Sequence, residues 1–332
     1  MRGFLKKLLL FAAIQLAIAA VVIWSYRRQF PPSQHFLAAD IDKQSLIQTQ
    51  AAPRLIFIGG SSMAFGVNSA RIAESCGRHP VNMGLHAALG LKYMLAEVQP
   101  HLRAGDWVIV APEYQQFSKL GGNTEFLVNM IEIAPAHGRF FTREQWSGIF
   151  DSGFVKRFGR QLRAVAGRPS RLFDRGTIGK TRPYYRRDGF NANGDVVAHL
   201  NVKPPRMSER EFRLRHDKAS VRETVEVLNR FADVAKQRGV RVWFSHAPLP
   251  QPVFDQNRRA VDELEATLAR EVRIPQLDRA EELAFPYDHF FDTWYHLSLR
   301  GVEKRTELLA ARMAEQGKAF AEGSSQHDEF HH

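Results

Sequence analysis

The stretch Leu55-Ile56-Phe57-Ile58-Gly59-Gly60-Ser61-Ser62-Met63-Ala64-Phe65-Gly66 decides how this chain folds. Four apolar residues in a row, closed by two glycines, fit a strand buried on both faces of a parallel sheet. Similar runs follow at Trp107–Val110 before Pro112 and at Val240–Phe244 before Pro248, with a shorter one around Val81. Between them lies helical spacing. Val221, Val225, Leu228, Ala232 and Ala235 recur every three or four residues, and Gly239 stands where a helix C-cap belongs. Val302, Thr306, Leu309 and Met313 predict a last helix on the same logic. Strands alternating with helices predict an α/β domain with a doubly wound, mostly parallel sheet.

Upstream, residues Leu8 to Trp24 carry one strongly polar side chain, Gln15, and no charge. Such a run is long enough to cross a hydrocarbon core of about 30 Å as a helix. Arg2, Lys6, Lys7 and the α-amino group precede it, while Arg27 and Arg28 follow. The positive-inside rule then places the N-terminus in the cytoplasm and everything after Tyr26 outside. Ala17 and Ala19 offer a small-x-small cleavage site, but the apolar run continues past it through Val21, Val22, Ile23 and Trp24, so an uncleaved anchor over residues 1–28 is expected. Residues 29–53, with Pro31 and Pro32, read as a polar tether, and the globular domain as 54–332.

The 332 residues carry a net charge of +11, which attracts anions such as lipid headgroups, acidic glycans or nucleic acid. Between Asp151 and His216, Lys and Arg number 16 and Asp and Glu 6, a net of +10, so nearly all of the excess sits in one part of an insertion at about 117–216. A solvated basic face explains that pattern as well as a seat for anionic headgroups or an acidic polymer does. An extracytoplasmic domain makes nucleic acid the least fitting partner. Cys76 stands alone, so no intramolecular disulfide forms, and a buried inert thiol is expected.

Two places carry candidate chemistry. Ser61-Ser62 follows a strand that ends in two glycines, and ligands of open α/β sheets bind just outside the carboxyl ends of the strands. A serine on a sharp turn there exposes its Oγ, and its own N–H can face a developing oxyanion. A plain Gly-Ser turn is the competing reading. The second place is Phe291-Asp292-Thr293-Trp294-Tyr295-His296-Leu297-Ser298, just before the last helix. A serine nucleophile needs a base, and the base an orienting carboxylate. One loop can present both Asp292 and His296, although a loop ion pair or a helix cap uses the same residues. Asp288 and His289 lack a third convincing metal ligand, and no metal or cofactor is predicted.

In order and placement the two blocks resemble the SGNH/GDSL hydrolase superfamily, from about Arg54 to Ala314 outside the basic insertion. There a Gly-Asp-Ser block supplies the nucleophile and a C-terminal Asp-x-x-His block the rest of the triad. A glycine often lies four residues beyond the catalytic serine, and Gly66 lies four beyond Ser62, so the resemblance assigns Ser62 and puts Ser61 where the family has aspartate. The Gly-Ser-Ser variant with a later Asp-x-x-x-His-Leu is similar to the membrane-anchored acyl-transfer branch, which includes teichoic-acid D-alanyl transfer and alginate O-acetylation proteins.

That resemblance implies an acyl-serine mechanism, an acyl donor, a polysaccharide acceptor and a multi-pass membrane-bound O-acyltransferase as partner. An esterase of the same fold, or a non-catalytic binding or scaffold protein, remains an alternative. The family's second block maps onto Asn82-Met83-Gly84-Leu85-His86-Ala87, with Ala87 where a glycine donates an N–H to the oxyanion. The third maps onto Ala111-Pro112-Glu113-Tyr114, with Glu113 in place of an oxyanion-binding asparagine. An ionised carboxylate repels an oxyanion, so Glu113 is expected to be protonated, turned away or otherwise employed. The Asp292–His296 spacing is one residue longer than the common pattern. A last segment, Tyr184 to Asp195, has two Asp/Asn-Gly turns among aromatics and reads as a structured loop that either presents Arg187 or Phe190 to a substrate or forms a surface hairpin.

Overall fold

The computed structural model describes residues 2–29, 32–153, 159, 182–205 and 212–328. The described residues form an α/β fold around a parallel sheet of four strands: β1 (Arg54–Gly59), β2 (His79–Asn82), β3 (Trp107–Ala111) and β4 (Arg241–Phe244). Their order across the sheet is β2-β1-β3-β4, with every neighbouring pair parallel. All of β1 and β3 is buried, which is why residues 55–58 and Trp107–Ala111 read as unbroken apolar runs.

Alternate residues of those strands feed two different cores. Leu55, Phe57, Trp107, Ile109 and Trp243 pack with Ile72 and Ala73 and with Leu309 and Met313 of the last helix, Leu299–Asp328. Ile56, Ile58, Val108, Val110 and Phe244 pack with the helices Leu91–Val98 and Lys218–Gln237. Gly239, at φ +69°, closes the latter helix in the left-handed conformation expected of a C-cap glycine. Chain order places the crevice. From β1 the chain steps to β2 on one side, then crosses to β3 on the other. The carboxyl ends of β1 and β3 therefore flank the point where strand order reverses, the crevice that open α/β sheets use for ligands.

The N-terminal run is one helix, Arg2–Gln29, and its window Gly3–Val21 is apolar and long enough to cross a membrane, with none of it buried against the rest of the protein. The expected tether is different. Residues 36–49 are ordered and packed: Phe36–Ala38 form a short turn and Ala39–Thr49 a helix. The buried face of that helix is Ala39, Asp40, Lys43, Gln44 and Ile47, a stripe at helical spacing in which three residues are polar. Hydropathy periodicity cannot see such a stripe, and the polar sequence therefore reads as linker. Tertiary contacts satisfy it instead. Lys43 Nζ donates to the carbonyls of Asn82 (2.7 Å) and Gly194 (2.6 Å), Tyr93 Oη donates to Asp40 (2.5 Å), and Gln44 Nε2 donates to Glu97 (2.7 Å). Arg54 at the start of β1 pairs with Asp106 and donates to the Ile47 and His101 carbonyls, tying this helix to the sheet.

The proposed insertion is also more integrated than its charge implied. Leu127, Val128 and Met130 of helix Thr124–Ile133 belong to the main core. Most of the basic stretch itself, including Arg157, Arg160 and Arg163, lies outside the described residues. Cys76 is half-buried, and burial pushes its thiol up to about 11, away from reactivity.

Candidate functional site

Beyond β1 the chain turns at Gly59-Gly60 into the short helix Ser61–Ala64. A Cβ on Gly60 would lie 2.5 Å from Glu113 Oε1, 2.8 Å from Ala87 Cβ and 2.9 Å from the Ala87 nitrogen, so only glycine lets these three approach the serine turn. Gly66 has an equally local reason. A Cβ there would collide with the Ser62 carbonyl at 2.1 Å, and that carbonyl accepts from Arg305 Nη1 at 2.7 Å. Arg305 is fully buried in the last helix and anchors the serine turn from behind.

The two serines differ. Ser61 Oγ donates to Glu113 Oε1 at 3.1 Å. Ser62 is 0% exposed, and its Oγ has no hydrogen-bond partner among the described residues. Of the pair, Ser62 thus has the uncommitted hydroxyl.

Asp292 and His296 come together as the sequence predicts: His296 Nδ1 lies 2.8 Å from Asp292 Oδ1. The extra residue between them is absorbed by a closed turn. Phe291 N–H donates to the His296 carbonyl at 2.8 Å, and Thr293 Oγ1 accepts from the backbone of Tyr295 and His296 at 3.2 and 3.1 Å. The imidazole lies flat on Phe65, three residues past Ser62, with ring centroids 4.1 Å apart and planes 9° from parallel. Burial alone would raise the Asp292 carboxyl, but the hydrogen bond and charge of His296, the Tyr185 hydroxyl and Arg182 hold it below the usual carboxylate range. No hydrogen bond joins Ser62 Oγ to the imidazole.

Glu113 begins the turn after β3, and its side chain neither turns away nor points at an empty site. Its Oε1 accepts the Ser62 backbone N–H at 2.8 Å, the donor that sequence reasoning reserved for an oxyanion. Burial raises the Glu113 carboxyl, opposed by the Ser62 N–H, His296, Ser61 and Arg305, and the balance leaves it above the usual range. The residue thus favours its neutral form more than an ordinary glutamate does.

The other oxyanion candidates divide. Ala87 borders the serine turn through its nitrogen, close against Gly60. Asn82 is fully buried and spends its amide inside the protein: Nδ2 donates to Asp195 (2.7 Å) and the Met63 carbonyl (3.2 Å), and Oδ1 accepts from Gly84 N–H (2.8 Å). Gly84 lies where a Cβ would meet the Ala64 nitrogen and Met63 Cβ at 2.8 Å. Both hold the serine turn to the Asp195 loop and present nothing to a substrate.

The aromatic loop does reach the site, through a residue that sequence reasoning did not choose. Tyr185 Oη donates to Asp292 Oδ2 at 2.7 Å and lies 3.2 Å from His296 Nδ1. Arg187 instead forms a two-pronged pair with Asp42 (2.7 and 2.6 Å), and Phe190 packs on Phe36, ring centroids 4.9 Å apart, beside Lys43. Phe36, Phe65, Tyr185 and Phe190 make a continuous aromatic wall beside His296. Part of this wall was legible as interleaved aromatics in the Tyr184–Asp195 segment. Phe36, in the expected tether, gave no such signal. Asp288 pairs with His289 and Arg300, an ordinary surface ion cluster.

A scan against family models and a search of curated proteins find no match to this chain.

Proposed function

We propose that the protein is a membrane-anchored, SGNH-like serine acyltransferase or esterase that moves an ester-linked acyl group onto or off a cell-surface or secreted polysaccharide. The observation that carries the reading is the Asp292–His296 pair stacked on Phe65 of the serine turn, beside the crevice where strand order reverses. Asp292 fixes His296 with Nδ1 as the donor nitrogen, leaving Nε2 to act as base.

In the reaction, Ser62 Oγ attacks the acyl carbonyl and its proton passes to His296 Nε2. The tetrahedral oxyanion is bound by Ala87 N–H and by Glu113 in its neutral form. His296 then protonates the departing alkoxide, leaving acyl-Ser62. An acceptor hydroxyl, deprotonated by His296, attacks the acyl carbon, and His296 returns that proton to the departing Ser62 Oγ to give the new ester, or water does so to give the acid. The resemblance to the acyl-transfer branch and the apolar N-terminal helix favour transfer, outside the inner membrane, with a multi-pass O-acyltransferase delivering the acyl group. One observation favours a second reading, a non-catalytic polymer-binding protein of the same fold: Glu113 already occupies the Ser62 N–H.

A fluorophosphonate probe with peptide mapping tests the first reading. Label is expected on Ser62, abolished in Ser62→Ala and His296→Ala and retained in Ser61→Ala. Label on Ser61 moves the nucleophile by one residue. Full polymer acylation by Ser62→Ala in cells sinks the mechanism and leaves the binding role.

A further inference from the structure

The helix Ala39–Thr49 docks on the domain through a buried polar cluster that the serine chemistry does not use. Asp40 comes from its first turn, Glu97 from the end of helix Leu91–Val98, and His137 from the turn Pro135–Phe140. One ligand atom of each lies within 4.8 Å of the other two, and all three residues are buried. From this convergence we propose that Asp40, Glu97 and His137 bind a small divalent cation of the zinc or manganese type, which clasps the membrane-proximal helix to the domain.

The donor set is two carboxylates and an imidazole, the mixture that suits zinc and manganese rather than calcium or a soft thiolate-bound metal. Ligands about 2.1 Å from a tetrahedral ion sit about 3.4 Å apart. His137 Nδ1 and Asp40 Oδ2, at 2.9 Å, are already near that spacing. Asp40 Oδ1 has no hydrogen-bond partner among the described residues although Asp40 is fully buried. Gln44, one helical turn beyond Asp40, donates Nε2 to Glu97 at 2.7 Å and helps to hold that ligand in place. Tyr93 Oη donates to Asp40 Oδ2 at 2.5 Å and so orients that ligand.

Neighbouring buried carboxylates repel unless a proton or a cation lies between them. A divalent ion neutralises both at once, and its binding free energy adds directly to folding because the ligands come from three separate elements. Burial of all three ligands suits a structural rather than a catalytic ion.

The test uses the full-length chain in detergent, purified without chelator and without a nickel column. Elemental analysis is expected to find about one equivalent of zinc or manganese per chain. Stripping with EDTA is expected to lower Tm by about 5 °C or more, with recovery on adding Zn²⁺ or Mn²⁺ alone. Asp40→Asn and His137→Gln are expected to lose the metal. Should either fail to fold, the wild-type stoichiometry and its reversal by EDTA still decide the matter. Wild-type protein with far less than one equivalent, and with Tm indifferent to EDTA and to both ions, overturns the proposal and leaves a proton shared between the carboxyls. Undiminished metal in a folded Asp40→Asn/His137→Gln double variant overturns it as well.

Discussion

Replacing Glu113 by glutamine separates the two roles that its carboxyl plays. In the wild type, Oε1 accepts from Ser62 N–H at 2.8 Å and from Ser61 Oγ at 3.1 Å. Glutamine keeps an acceptor oxygen at that place and offers an N–H where the neutral acid offers an O–H. Stability is therefore expected to change by less than about 1 kcal/mol, within the net worth of one hydrogen bond. Glu113→Ala strands the buried Ser62 N–H and frees Ser61, for a loss of about 1–3 kcal/mol.

The catalytic expectation follows from charge. Burial raises the Glu113 carboxyl, so the wild-type rate with a soluble activated ester is expected to fall as pH rises through that raised value, because the ionised form repels the tetrahedral oxyanion. An oxyanion contact is typically worth 10²–10³ in rate, so the ionised form is expected to be slower by about that factor. In Glu113→Gln this alkaline fall disappears while the rate at lower pH persists. The assay is kcat/KM against pH for both proteins, with thermal melts alongside. A normally folded Glu113→Gln that loses about 100-fold or more at every pH refutes the reasoning, since an ionised carboxylate is then required.

Three further outcomes are expected. Tyr185→Phe removes the hydroxyl that donates to Asp292 at 2.7 Å, freeing the carboxylate to move; kcat is expected to drop about tenfold with KM unchanged, and equal loss in KM points to substrate contact instead. His199 is fully buried with its pKa lowered, chiefly by burial, to about 4, so it stays neutral in the folded protein while the unfolded chain charges near 6.5; its contribution is whole above 6.5 and is lost as pH falls from 6.5 to 4, by at most about 3 kcal/mol, and denaturant melts of His199→Gln are expected to be flatter across that window than those of wild type. A periplasm-dependent reporter fused after His332 is expected to be active, and a stable but inactive fusion reverses the topology read from the basic flank of the N-terminal helix.

The sequence by itself determined the elements whose residues answer to water. Strand β3 and residues 55–58 of β1, buried on both faces, are apolar throughout, so they stand out in any reading, and the helices Lys218–Gln237 and Leu299–Asp328 announce themselves by spacing and by Gly239. The apolar N-terminal helix is legible for the same reason. Asp292 and His296 were readable as a pair because one short turn carries both.

Only the tertiary structure decided what polar side chains do when the chain brings them together from afar. Helix Ala39–Thr49 looked like a tether because the stripe it buries includes Asp40, Lys43 and Gln44, and their partners lie 39 to 151 residues away. Glu113 looked like a defect in an oxyanion hole, and its bond to Ser62 N–H depends on β1 and β3 being neighbours in the sheet. Tyr185 was one aromatic among several until the loop placed its hydroxyl on Asp292, 107 residues on. Hydrophobic burial is written into local pattern because every apolar residue has the same preference. A hydrogen bond needs one particular partner, and local sequence does not say which distant group will arrive.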